Sequence, residues 1–450
     1  MTSATLWRNW AGDQRCAPLD VSEPADEAAV QAIVERALAV NQPLRAVGSG
    51  HSFTDAACTD GHMLRLDRFA GVGDVDTSRG LVQVGAGITL RELGVRLAER
   101  GLAMENLGDI DTQTLAGAIA TATHGTGARF QNLSAQVAGL RLVTGTGEVI
   151  DLDSGSDADA YCAARVSFGS LGIVVAVTLR CVPLFTLHRV DEPRPLEDVL
   201  RNFDEVVDGN DHFEFFVFPY TTSALTRTTN RVDADPDPPP RWRRYLDDVV
   251  VQNRLFGLTC RIGKRAPAAI PFMVRRAGSI AGRSEVRDHS YRVFATRREV
   301  RFNEMEYGIP RENGPEAVRR VMALVQQRRL PISFPIEVRC VAGDDAFLSP
   351  AYQRETCYVA VHVYRGMEFE TYFRAVEAIM NEYGGRPHWG KRHYQSAATL
   401  AQLYPRWQDF QAVRARLDPS NIFRNEYTDR VLGPVQQPRA SQRKQRPSPR

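Results

Sequence analysis

Residues 47–53 read Val-Gly-Ser-Gly-His-Ser-Phe, two glycines around a serine directly after the apolar run LRAV (44–47). Bare backbone of this kind turns tightly and lets amide groups converge on an anion such as a pyrophosphate. It is not a dinucleotide fingerprint, because Phe53 stands where G-x-G-x-x-G needs its third glycine. On the glycines alone, a plain turn and an anion cradle are equally good readings. His51 adds a nucleophile or hydrogen bonder, or merely a solvated bystander. A second segment, 112–127 (TQTLAGAIATATHGTG), is almost all small residues, threonines and one histidine. It suits either a tight helix–helix contact or a backbone lying close to a flat ligand, with hydroxyls supplying hydrogen bonds. The loop His124-Gly125-Thr126-Gly127 at its end favours the ligand.

Glu337 and Arg339 lie two apart in the apolar run FPIEVRCV (334–341), so a strand there turns both to one face. Most such pairs are surface cross-strand pairs. Inside a buried strand, two charges are expensive unless a partner or ligand meets them. A carboxylate acceptor beside a forked guanidinium donor suits a polyhydroxylated ligand. His362, in VAVHVY, is either a core histidine or part of the same wall. In RPHWGK (386–391), Lys391 and His388 flank Trp389 and Gly390, a setting for a constrained cation rather than a loose surface lysine. No H-E-x-x-H or Cys/His ligand spacing occurs, so no catalytic metal is expected. No G-x-S-x-G elbow supports a hydrolase.

These residues need elements to hold them. Val30, Ile33, Val34, Ala37 and Leu38 follow Pro24 and Asp26 at helical spacing, and LRAV reads as a short strand. LVQV (81–84) is a second strand, and Thr89-x-x-Glu92 is a capping box that opens a helix stopped by Gly101. A hairpin spans 140–151 around Gly-Thr-Gly, and 173–182 is a buried strand. Beyond residue 184 the chain becomes aromatic and β-branched at 210–232, crosses a proline-rich loop at 233–241, and reads as strand-rich at 291–307. Helices are expected at 314–329 and 368–383, with strands at 334–341 and 357–364. Strands punctuated by helices imply an antiparallel sheet with helices on one face.

The composition is that of an ordinary soluble protein. Of 450 residues, 43% are hydrophobic, and the formal net charge is +2. Residues 435–450 carry five basic residues and no acidic one, so the body is mildly acidic and no nucleic-acid partner is expected. That tail reads as disordered. The seven cysteines are spread out with no C-x-x-C, which predicts reduced thiols in a cytoplasmic setting. The longest strongly apolar run, 171–179, is far below the roughly 20 residues that span a bilayer. Membrane contact is therefore expected to be peripheral at most.

Taken together, RAVGSGHSFTD and ATATHGTG resemble the FAD-binding domain of vanillyl-alcohol-oxidase-type flavoproteins, the PCMH type. Glu337-Val338-Arg339 and His388-Trp389-Gly390-Lys391 resemble the motifs of the sugar-lactone oxidoreductase branch. That branch spans gulono-, galactono- and arabinono-1,4-lactone oxidoreductases and alditol oxidases. From WRNWAGDQ to LDPSNIFRNEY the pattern is similar to the actinobacterial lactone dehydrogenases.

The resemblance implies an α+β fold. A two-subdomain α/β FAD-binding domain covers 10–183, and a cap with a large antiparallel sheet covers 184–395. A segment at 396–434 packs back on the first domain, followed by the basic tail. It implies FAD as cofactor, held by Val47, Gly48, Ser49, Gly50, His51, Ser52, Thr114, Gly117, Thr121, Thr123, His124, Gly125, Ile173 and Val174. His51 is the candidate for a covalent link. Thr114 and His362 are implied to bind substrate; Glu337, Arg339, Lys391 and His388 are implied to be catalytic. The implied reaction oxidises a sugar 1,4-lactone by hydride transfer to flavin N5, with a cytochrome, quinone or oxygen as electron acceptor. The alternative within the class is an alditol or carbohydrate oxidase that makes hydrogen peroxide. In the family the segment from Gln113 to Ala116 borders the flavin.

Overall fold

The computed structural model describes residues 6–240, 242, 253–278 and 282–435. Asp26 opens the first long helix, Glu27–Ala39, by accepting a hydrogen bond from the Ala29 amide. Its buried face carries Val30, Ile33, Val34 and Ala37, as the spacing predicts. It accompanies a three-stranded parallel sheet ordered Asp20–Ser22, His62–Arg65, Leu44–Val47. A five-stranded antiparallel sheet follows, ordered Val149–Asp153, Val137–Val143, Ile173–Arg180, Leu81–Gly85, Val72–Asp76. The expected hairpin is its first pair. Thr89 caps the helix Leu90–Ala98 by accepting from the Glu92 amide. The two sheets share one apolar core with Leu400, Phe410, Val413, Tyr427 and Val431 from three C-terminal helices.

The second core lies under an eight-stranded, wholly antiparallel sheet. Its order is Ser284–His289, Thr186–Pro195, Ser223–Val232, His212–Val217, Ile336–Val341, Thr356–Tyr364, Phe302–Pro310, Arg386–Pro387. The helices Leu196–Arg201, Phe203–Asp208, Gly314–Gln327 and Glu370–Glu382 cover one face, where Phe213, Met305, Val338 and Val361 meet Phe203, Val321 and Val376. Side chains of the alternate parity, Glu214, Glu304, Glu306, Glu337 and His362 among them, belong to the opposite face. The fold class is thus the expected one, α+β with helices on one face of a large antiparallel sheet.

The structure differs from the sequence reading in two places. Residues 291–307 are not one strand-rich stretch: Ser290–Phe294 is a short helix and the strand starts only at Phe302. Tyr291 and Phe294 pack against the first core, so tertiary contact overrides their β preference. The helices Phe256–Arg265 and Ile270–Gly278 were not foreseen. Residues 436–450, nearly all of the basic tail, lie outside the described residues. All seven cysteines are free thiols. No helix among the described residues is long and apolar enough to cross a membrane.

Arg45 ties the first core together. Its fully buried guanidinium donates to the carbonyls of Ala56, Phe168, Gly169 and Phe423, at 2.5–3.0 Å. Burial, with Arg414 nearby, lowers its pKa to about 10, and the bonds to four carbonyls hold the cation there. Arg45→Met leaves those carbonyls unpaired and is expected to cost about 2–4 kcal/mol. Thermal unfolding of the variant checks this: the apparent Tm falls by several degrees, whereas an unchanged Tm refutes the assignment.

Candidate active site

Two cavities meet at Gln113, which lines both. The first runs along the loop after the Leu44–Val47 strand. Val47, Gly48, Ser49, Gly50, His51 and Ser52 line it, facing Thr114, Gly117, Thr121 and Val174. Beside Trp7, Leu66 and Phe168, its walls are mostly backbone and small side chains, for a physical reason. A Cβ on Gly48 would meet Thr114 Oγ1 at 2.2 Å, and Gly50 sits at φ +68°. Thr114 caps the short helix Leu115–Ala120 by accepting from the Gly117 amide. Such a slot fits an extended dinucleotide whose phosphates meet backbone amides, so the residues present suit FAD.

His51 stacks on Trp10, ring centroids 5.3 Å apart, and its Nε2 is hydrogen-bonded to the Thr112 hydroxyl at 2.9 Å. Burial, helped by Lys391, lowers its pKa to about 4. The imidazole is therefore held neutral, which is its nucleophilic form.

The second cavity, about 440 Å³, lies between this slot and the open face of the large sheet. Strand register sets up a row of alternating charge there. Asp191 pairs with Arg227, Arg227 with Glu214, and Glu214 with Arg339, on four adjacent strands. The side chains follow the register. Arg227 reaches Asp191 at 2.7 Å and Glu214 at 2.9 Å, and Arg339 reaches Glu214 at 2.9 Å. Asp109, from the first core's loops, closes the row on Arg339 and Arg298, both at 2.9 Å.

Arg339 also holds Glu337 directly. Burial raises the Glu337 pKa to about 7, and Asp109 and Glu214 add to the rise against Arg339 and His362. His362 donates from Nδ1 to the Pro335 carbonyl at 3.0 Å, since a carbonyl can only accept. Its Nε2 then faces Glu304 at 3.4 Å and Glu337 at 3.8 Å.

Lys391 bonds Glu304 and lies 5.2 Å from the Phe53 ring centroid. Burial opposes ionisation of Glu304, yet Lys391 and His362 outweigh it and hold its carboxyl at about 2. The segment carrying Lys391 is fixed from both sides. The Phe53 amide donates to Gly390 O at 2.7 Å, and Trp389, fully buried, donates from Nε1 to Leu348 O at 2.6 Å. His388, whose pKa burial lowers to about 3, accepts the Gly390 amide at Nδ1. His124 bridges Gly125 O at 2.9 Å and Glu306 at 3.1 Å, and stacks on Tyr358.

The structure thus brings Glu337, Arg339, His362, His388, Lys391, Thr123 and His124 to the second cavity. Three of the expected residues lie apart from this cavity. Thr114, expected at the substrate, lines the first cavity and not the second. The Ile173 side chain is part of the core, and its neighbours Gly172 and Val174 line the slot. Gly125 lines neither, because the chain turns away after His124 and a Cβ there would strike Leu107 O at 2.3 Å.

The sequence reading missed Asp109, Asp191, Glu214, Arg227, Glu304 and Glu306. HFEFFVF (212–218) and FNEMEYGI (302–309) carried the signal already used for Glu337, a charge at alternate positions inside an apolar strand. It also did not foresee that His124, Glu306 and His388 offer three potential metal-ligand atoms within 4.8 Å of one another. Both His124 nitrogens and His388 Nδ1 are already engaged by protein groups.

Residues 18–153 match the FAD binding domain family, and residues 177–431 match the family described as D-arabinono-1,4-lactone oxidase. L-gulono-1,4-lactone dehydrogenase of Mycobacterium tuberculosis is 57% identical over 429 residues, covering 95% of this chain and 99% of that protein. L-gulonolactone oxidase of Bos taurus is 32% identical over 433 residues, covering 95% and 98%. A cholesterol oxidase from B. sterolicum superposes with a TM-score of 0.80 at 16% identity, over 95% of this chain and 96% of that one, which is a likeness of fold. The resemblance carried by the two glycine loops, Glu-Val-Arg and His-Trp-Gly-Lys is borne out along nearly the whole chain. With an FAD-binding domain ahead of it, the chain belongs to the D-arabinono-1,4-lactone oxidase family.

Proposed function

We propose that the protein oxidises a sugar 1,4-lactone, L-gulono-1,4-lactone or a similar aldonolactone, at its C2 alcohol, towards an ascorbate-type product. The observation that carries this reading is the wall of Glu337, Arg339, His362 and Lys391 in a cavity that joins the dinucleotide slot at Gln113. The names of the relatives support the lactone. When bound along the slot by residues 47–52, Thr114, Gly117, Thr121 and Val174, FAD supplies the acceptor for the hydride leaving C2.

The chain's own groups do the rest. Glu337 takes the C2 hydroxyl proton. Its raised pKa, near the operating range, makes it a base that can both accept and release that proton. Arg339, fixed by Glu214 and Asp109, presents its fork to ring and carbonyl oxygens. Lys391, positioned by Glu304, supplies the cation that stabilises developing negative charge. His388 and His124 close the polar wall between the cavities. Electrons then pass to a cytochrome, a quinone or oxygen.

The central test is anaerobic. L-gulono-1,4-lactone is expected to bleach the flavin absorbance while alditols leave it; bleaching by alditols alone overturns the reading. Readmitted oxygen, or an added cytochrome or quinone, then identifies the acceptor by the return of colour.

Glu337 gives a signed pH dependence. Its carboxylate is the working base, so kcat/KM rises as pH climbs through about 7 and levels above it. Glu337→Gln should lower kcat by about 10²–10⁴-fold and erase that limb. A limb that survives assigns the base elsewhere.

For the cofactor link we propose His51. Acid precipitation should leave flavin in the wild-type pellet and release it from His51→Ala; flavin in the wild-type supernatant shows non-covalent binding.

A further inference from the structure

Exposed large apolar side chains are not spread evenly over the molecule. Of the nine among the described residues, five lie between 242 and 272: Trp242, Leu255, Leu258, Ile262 and Phe272. Trp242 is 66% exposed and Phe272 63%. Leu255, Leu258 and Ile262 recur three and four residues apart, which puts them on one side of the helix Phe256–Arg265. The other side is already used. Cys260 and Gly263 are buried, Gly263 lies against Ile270, and Phe256 packs edge-on against Phe334 with centroids 4.9 Å apart. The outward stripe is therefore not the spare edge of a core-facing helix.

Charge singles out the same segment. Residues 253–278 hold six of the chain's 56 basic residues and none of its 54 acidic ones, so the rest of the chain is net acidic. Arg261, Lys264, Arg265 and Arg275 are exposed beside the apolar stripe. The neutral polar groups are turned inward: Asn253 is buried and bonds Arg297 O and the Glu299 amide, and Thr259 bonds back to Leu255 O. The outer surface thus offers apolar groups and cations, with little to fix the hydrogen-bonded register a folded protein partner demands.

We infer that this helical segment docks on the surface of an anionic lipid bilayer. Leucine, isoleucine, phenylalanine and tryptophan side chains enter the headgroup–acyl boundary, while Arg261, Arg265 and Arg275 reach the phosphates. A surface of apolar groups and cations, with few neutral hydrogen-bonding groups, matches a fluid anionic interface. The helix that faces the bilayer is also a wall of the larger cavity through Phe256, so docking sets the cavity beside the membrane. The inference stands on the exposed segment and is independent of the lactone reading.

Co-sedimentation of the full-length holoenzyme with vesicles tests it. The protein should pellet with vesicles of equal parts phosphatidylcholine and phosphatidylglycerol, stay soluble with phosphatidylcholine alone, and be released by high salt. Leu258→Glu/Ile262→Glu should weaken binding at least about tenfold through lost apolar insertion. Arg261→Glu/Arg265→Glu should do the same through lost attraction, at about fivefold per charge removed. Both variants should keep wild-type flavin content and turnover, which guards against misfolding, and truncation after Pro434 should bind as wild type does. Equal binding to neutral vesicles, binding by the variants as tight as wild type, loss of binding on truncation, or retention on polyglutamate beads without vesicle binding overturns it.

Discussion

Burying charge on one face of a sheet is the constraint around which this molecule is organised. Four strands in register carry Asp191, Arg227, Glu214 and Arg339 side by side, each within about 3 Å of its neighbour's opposite charge. None of these groups is well hydrated, and each finds its opposite charge on the neighbouring strand. The alternation also fixes strand register, because a slip of one residue moves a charge into the apolar core beneath the helices. Asp109 extends the row to a loop of the first core, so the same electrostatics that order the sheet also join the two halves at the cavity.

This arrangement explains why neighbouring carboxylates differ so much. Asp109 and Glu304 face cations and are held low. Burial raises Glu337 first, and the one arginine it holds is shared with Asp109 and Glu214, whose negative charges add to the rise. A carboxyl poised near neutrality thus emerges from burial first, sharpened by a shortage of cations beside it, rather than from a special local fold. Such separation of pKa values among adjacent acids is the usual physical mark of an acid–base group.

Much of this was legible in the sequence, and the parts that were not share one cause. The loop at 47–53, the Glu337/Arg339 pair and the His-Trp-Gly-Lys segment are local patterns, and their residues converge where expected. The helix opened by Asp26 and the hairpin at 140–151 also follow from local periodicity. Glu214, Glu304 and Asp109 acquire their meaning only from strand register and loop docking between segments far apart in sequence, which no single window displays. The short helix at Ser290–Phe294 failed for the same reason, since its aromatic residues answer to packing on a distant core.

The two cavities divide the burden in a physically sensible way. The dinucleotide slot is walled mostly by backbone and small side chains, and its stabilising charge, Arg45, is spent on carbonyls of the chain itself. Ionisable groups concentrate instead on the sheet face, where antiparallel pairing supplies each with a partner. Lys391 stands at the junction. Its ammonium is bonded to Glu304 of the sheet, its ring neighbour Phe53 belongs to the slot's loop, and Gly390 is tied to that loop's backbone. A cation held from both halves keeps its position relative to both, and this matters more than its net field, which Glu304 partly cancels. A reaction that develops negative charge where the cavities meet needs that charge met at a fixed place without solvent reorganisation. In the proposed oxidation, the rigidity of the Trp389–Lys391 segment therefore matters as much as the lysine itself.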